Sequence, residues 1–123
     1  MNILIDTHIF LWLVYEPTKV SNIHMRYLED TTNNIYLSAI SIAEMMIKKS
    51  LGNLDINFDI LKMVDEMGLE ILDFDAMSAL GLFALAFHHR DPFDRMIISQ
   101  AISNNYPIIT KDSKFRYYEC RLL

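Results

Sequence analysis

Four carboxylates stand at comparable places along this chain of 123 residues. Asp6 directly follows the apolar run Ile3-Leu4-Ile5, and Asp112 follows Ile108-Ile109 with only Thr110 and Lys111 between. Glu44 and Asp94 lie in the opening turns of two segments that read as helices. In a parallel sheet such helices start from the carboxyl edge of the strands, where α/β proteins bind ligands, so all four acids could converge on one cleft. Ionised carboxylates crowded into a small space raise one another's pKa values and need cations between them. An oxygen-only set suits Mg²⁺ or Mn²⁺ rather than Zn²⁺. Such ions can align a water, help deprotonate it and stabilise the leaving oxygen in phosphodiester cleavage. Two of these acids, and Asp91 beside a third, also have a local reading. Asp6 can cap the helix that follows, Ser41 and Glu44 have the spacing of a capping box, and Asp91 ahead of Pro92 is a helix start.

The elements that must position these groups come next. Ile3-Leu4-Ile5 reads as a strand buried on both faces, the usual state of a central parallel strand. Phe10 to Val14 is too apolar for a surface loop and reads as a short buried helix ended near Glu16-Pro17. Residues 21–32 open on Ser21 and Asn22 and carry Ile23, Tyr27 and Leu28 at helical spacing. Ile35 to Leu37 is a second strand, followed by a helix over 38–49 that Gly52 ends. An amphipathic helix over 57–67, stopped by Gly68, leads to a third strand over 69–72. Asp73 or Asp75 then caps a helix over 76–88 that has no polar face, which argues for burial against a second subunit or a partner. Asp91-Pro92 starts the helix that carries Asp94 and buries Met96, Ile97, Ile98, Ala101 and Ile102. Ile108-Ile109 is a fourth strand, and 118–122 reads as an edge strand. The alternation predicts a three-layer α/β/α fold with a parallel sheet of four to five strands, in one domain over residues 1–123.

Composition narrows the class. The chain is 52% hydrophobic with three Gly and three Pro, which favours compact regular structure over disorder. No apolar stretch reaches the roughly 18 residues of a membrane span, and no signal peptide is apparent. The lone Cys120 fits a reducing cytoplasm and a small core role. A formal charge of −5 weakens a nucleic-acid reading without excluding it, because a metal-dependent nuclease must concentrate carboxylates. Lys48 and Lys49 read as solvated surface charges. Three glycines, none in a G-x-G-x-x-G or Walker A arrangement, remove nucleotide-loop readings. A receiver domain would want paired acids after the first strand, and a haloacid dehalogenase-type phosphatase a second Asp where His8 stands.

Taken together, Leu4-Ile-Asp-Thr-His8, Leu37-Ser-Ala-Ile-Ser-Ile-Ala-Glu44, His88-His-Arg-Asp-Pro-Phe-Asp-Arg95 and Ile109-Thr-Lys-Asp-Ser-Lys-Phe115 resemble the PIN-domain family, most nearly its VapC-type toxin nucleases. The resemblance spans essentially the whole chain in order. It implies an Mg²⁺- or Mn²⁺-dependent endoribonuclease with Asp6, Glu44, Asp94 and Asp112 as catalytic and metal-binding acids. It also implies a homodimeric, cytoplasmic toxin of a type II toxin–antitoxin pair, neutralised by a small antitoxin through which alone it would meet DNA. Asp94 rather than Asp91 matches the family pattern; Asp91 is assigned mainly to capping, with a lesser part aiding the metal site through a water. Thr7 and Thr110 sit beside the acids and look like hydroxyls that orient carboxylates or water. Arg90, Arg95, Lys111 and Lys114 are candidates for RNA phosphate contacts. His88 and His89 read as structural or RNA-contacting. The antitoxin is placed near Phe10, Trp12 and the 76–87 segment. A non-catalytic PIN-like module that binds RNA or protein is the competing reading.

Overall fold

Ile3, Leu4 and Ile5 have no exposed surface because strand β1 (Asn2–Ile5) is covered on both faces and flanked on both edges. In the computed structural model, which describes residues 1–123, β1 pairs in parallel with β2 (Asn34–Ser38) on one side and β4 (Ile108–Ile109) on the other. β3 (Glu70–Leu72) pairs in parallel with β2, giving the order β3-β2-β1-β4. The register sets Ile5 between Leu37 and Ile109.

Alternation along the strands divides the core in two. Ile3, Ile5, Ile35 and Leu37 join Ile9 and Phe10 of α1 (Thr7–Tyr15) and Ile60 and Val64 of α4 (Ile60–Glu66). Leu4 and Ile108 join Ile97, Ile98 and Ala101 of α6 (Pro92–Asn104), with Phe115. The remaining helices are α2 (Asn22–Glu29), α3 (Ala39–Ser50) and α5 (Ala76–Leu80). This is the three-layer α/β/α arrangement, with six helices on a four-stranded parallel sheet. No helix is long and apolar enough to cross a membrane.

Several local expectations change. Ser38, not Ser41, caps α3: its hydroxyl accepts the Ile40 N–H, while Ser41 lies buried one turn inside the helix. On α2 the buried residue is His24, and Ile23 is exposed. His24 Nε2 donates to the Leu123 carbonyl at 2.7 Å, an anchor that hydrophobic spacing does not foresee. The 57–67 helix begins only at Ile60, capped by Asp59, and Phe58 instead packs its ring on Phe10 and Tyr15.

Residues 118–122 form no edge strand. A 3₁₀ turn (Ser113–Tyr117) leads to a single bridge between Ile108 and Leu122. The outer side of β4 is nonetheless closed, since Ile108 N–H donates to the Arg121 carbonyl and Leu123 N–H to the Ile108 carbonyl.

The 76–88 segment is not one helix either. After α5 come a 3₁₀ turn (Gly81–Ala84) and irregular chain. There the carbonyls of Leu85, Ala86 and His89 accept from the Arg95 guanidinium, and the Tyr118 hydroxyl also donates to Ala86. Side-chain donors thus replace the backbone N–H groups that would have extended the helix. Gly81 fits because α6 passes close: a Cβ there would lie 2.6 Å from Ser99 Oγ, which donates to the Ser78 carbonyl. Gly81→Ala is therefore expected to push Ser99 off that carbonyl and cost about 1–3 kcal/mol in urea unfolding, despite the better helix propensity of Ala.

Candidate active site

Neighbouring strands leave β1 in different directions along the chain, β2 and β3 following on one side and β4 returning on the other. The carboxyl end of β1 is thus a topological switch point, the place where open α/β sheets form a crevice. Asp6 stands there, 2% exposed. Its Oδ1 accepts the Ile9 N–H at the start of α1, and its Oδ2 accepts from Thr110 Oγ1 beyond β4. Capping and site placement are therefore one geometry. Thr110 in turn accepts the Asp112 N–H at 3.0 Å, fixing the turn that carries Asp112.

Glu44, 3% exposed, projects from α3. Thr7 Oγ1 lies 2.8 Å from Glu44 Oε1 and 2.9 Å from Ser41 Oγ. A carboxylate only accepts, so the Thr7 proton goes to Glu44 and the Ser41 hydroxyl supplies the second bond. Lys48 Nζ meets Glu44 Oε2 at 2.5 Å, one turn along the same helix. Lys48 is therefore the ammonium of the acidic cleft rather than a solvated charge.

Asp94 lies in the first turn of α6, where its N–H is held by the Asp91 cap. His89 Nε2 sits 2.7 Å from Asp94 Oδ2 and 3.0 Å from Asp112 Oδ2. The ring is buried, and the Asp91 N–H points at its Nδ1, which puts the proton on Nε2 between the two acids. Asp112 Oδ1 caps the 3₁₀ turn through the Lys114 N–H. The nearest polar atoms of His89, Asp94 and Asp112 lie within 4.8 Å of one another, so the two carboxylates stand close enough to share a metal ion.

Electrostatics tie the four acids into one site. Burial pushes the Asp6 carboxyl up, against the Thr110 and Ile9 hydrogen bonds. Asp94 is pushed up to about 6, chiefly by burial, then by Asp91, with smaller contributions from Glu44 and Asp6 and with His89 opposing. The Lys48 ammonium is held above its ordinary range by Glu44 first, with Asp91 and Asp94 adding attraction. The donor set fits a hard divalent cation: oxygen-rich, partly to fully buried, with more negative charge than the Lys48 ammonium can balance.

Among the expected phosphate contacts, Arg90, Lys111 and Lys114 are exposed. Arg95 is a correction: it is 8% exposed, spends its guanidinium on the 85–89 carbonyls, and stacks on Phe87 at 4.2 Å. His88 packs on Tyr117 and Tyr118, away from the acids. Sequence reasoning missed His89 as the bridge and Lys48 as the counter-charge. The i, i+4 spacing of Glu44 and Lys48 was the available signal. A larger cavity of about 560 Å³, bordered by Met77, Leu85, Ser99 and Tyr118, lies elsewhere and holds none of the four acids.

A parallel α/β fold with carboxylates gathered at its switch point defines a class of proteins with an acid-lined cleft. The PIN domain model matches residues 3–119, and the chain belongs to that family. It is 22% identical over 117 residues to Ribonuclease VapC22 of Mycobacterium tuberculosis, covering 93% of this chain and 89% of that one. Among solved structures it is similar to VapBC2 from Rickettsia felis bound to a promoter DNA fragment, with a TM-score of 0.76, 21% identity and coverage of 100% and 98% of the two chains. DNA-bound VapBC from Salmonella typhimurium follows at 0.71, 21% identity, and 100% and 97% coverage.

The raised carboxyls have a consequence for the metal-free protein. The folded-state value of Asp94, about 6, lies above the unfolded value near 3.9, so protonation favours the fold. Stability is gained as pH falls through about 6, fully so only below about 4, and Asp6 acts in the same direction. In EDTA, urea midpoints are expected to rise from pH 7 to 5, with Asp94 contributing on the order of 1 kcal/mol over that interval. Asp94→Asn should flatten that rise.

Proposed function

We propose that the chain is a divalent-metal-dependent endoribonuclease, the toxin of a type II toxin–antitoxin pair. The gathering of Asp6, Glu44, Asp94 and Asp112 at one edge, the first two buried and the last two half-buried, in a PIN-family chain, carries the reading. Asp6, Glu44, Asp94 and Asp112 would hold Mg²⁺ or Mn²⁺. When bound, the ion supplies an activated water and positive charge at the leaving oxygen of a phosphodiester. The chain's own part is positioning. Thr7 and Thr110 aim Glu44 and Asp6, His89 holds Asp94 beside Asp112, and Lys48 offers a cation to an approaching phosphate. Arg90, Lys111 and Lys114 would take neighbouring phosphates.

The protein partners follow from surface as well as kinship. Phe83 is 100% exposed, and Met77, Leu80 and Phe87 of the same segment are exposed as well, apolar surface that suits a second copy and supports a homodimer. The VapBC relatives support a cognate antitoxin. Its placement at Phe10 does not survive, because that side chain is wholly buried; Trp12 remains accessible. A binding module without catalysis would have no use for buried, mutually repelling acids.

Purified protein incubated with structured RNAs should cleave in Mg²⁺ or Mn²⁺ and not in EDTA. Asp6→Asn should reduce the rate by more than ~100-fold with the circular dichroism spectrum retained, and Thr110→Val by ~10–100-fold. RNA left intact under every metal condition would overturn the reading.

A further inference from the structure

Beside Glu44 lies a second, smaller pocket of about 210 Å³. One wall is α1, through His8 and Leu11; the other is the end of α3, through Lys48, Asn53 and Leu54. It shares Thr7 and Glu44 with the acidic cleft, so an occupant would adjoin the acids directly. The wall is rigid. Asn53 N–H donates to the Lys48 carbonyl and Gly52 N–H to the Lys49 carbonyl, with Gly52 at φ +74°, which closes α3 in a Schellman motif. Leu11 and Leu54 form a floor backed by the core.

The lining chemistry is uneven. Toward the acids stands the Lys48 ammonium; over the floor stands the exposed His8 ring, tilted against Trp12 with centroids 6.5 Å apart. At the rim the Asn53 amide offers a donor and an acceptor together, the pattern of a base edge. Drug-sized ligands occupy roughly 300–1,000 Å³, so this volume suits one planar ring system. An unstacked base of single-stranded RNA has that shape, stacks on aromatic rings and is read at its edge.

We propose that this pocket receives one unpaired nucleobase next to the scissile phosphate, with Asn53 reading its edge, His8 stacking on it and Lys48 contacting the adjoining phosphate. The inference rests on the nuclease reading and assigns that site its base preference.

Two measurements test it. Cleavage sites of the wild type on a randomised single-stranded RNA in Mn²⁺ should show one favoured base at a fixed distance from the cut. Asn53→Ala should flatten that preference about tenfold. Leu54→Trp, which fills the pocket, should raise KM for all RNAs while Mn²⁺ binding by calorimetry is unchanged. Independently of cleavage, the four nucleoside 5′-monophosphates should alter Trp12 fluorescence unequally, and Leu54→Trp is replaced here by Leu54→Phe so that Trp12 remains the only indole. Variants that cut at wild-type sites with wild-type ratios overturn the proposal. So do variants that cut normally but lose a co-expressed antitoxin, which would assign the pocket to a protein. A wild type that cuts no RNA yet binds nucleotides base-selectively leaves the pocket standing and refutes only the nuclease reading.

Discussion

Like charges drawn into one end of a parallel sheet repel, and at this end the protein buries Asp6 and Glu44 almost completely while keeping Asp94 and Asp112 within reach of the same imidazole. Much of the local architecture exists to make that arrangement tolerable. Asp6 takes a backbone N–H and a hydroxyl, Glu44 a hydroxyl and an ammonium, and Asp112 a backbone N–H and a ring N–H. Every donor comes from an element that the fold needs for another reason. The helix that Asp6 caps is the helix that fills one core, and the turn that Thr110 braces is the exit from β4. Site and scaffold are therefore not separable here: removing an acid also removes a cap or a brace.

What could be read from residue order follows the range of the interactions. β1 and α6 were legible because their signals are local: an unbroken apolar run in one case, an Asp-Pro start in the other. The gathering of the acids was legible because chain order places strand ends and helix starts on one edge. The 76–88 segment was misread because its helical composition is overruled by Arg95 and Tyr118, whose approach depends on the tertiary fold. Ser41 was given a capping part because S-x-x-E spacing is indifferent to register; β2 runs to Ser38 and hands the cap to that residue.

The same limit applies within the site. Nothing in the His88-His89 pair distinguishes the two rings, yet one packs on tyrosines and the other lies between two carboxylates. Their separation is decided by Tyr118, whose hydroxyl accepts the His89 N–H and receives a bond from Arg95. A phenol near the carboxyl terminus thus sets which histidine faces the acids. Lys48 was hidden for a simpler reason: a lysine late in a helix is usually solvated, and only the burial of Glu44 below it draws the ammonium inward.

The closure of β4 by residues 121–123 bears on how such chains meet one another. A sheet edge left open offers a ladder of unpaired amides and carbonyls to any neighbour, and growing chains can zip together through it. Here one edge strand is three residues long, and the other is two residues long with its outer groups taken by Arg121 and Leu123. Little backbone is left to template a further strand. Indiscriminate strand-to-strand growth therefore has very little backbone to start from.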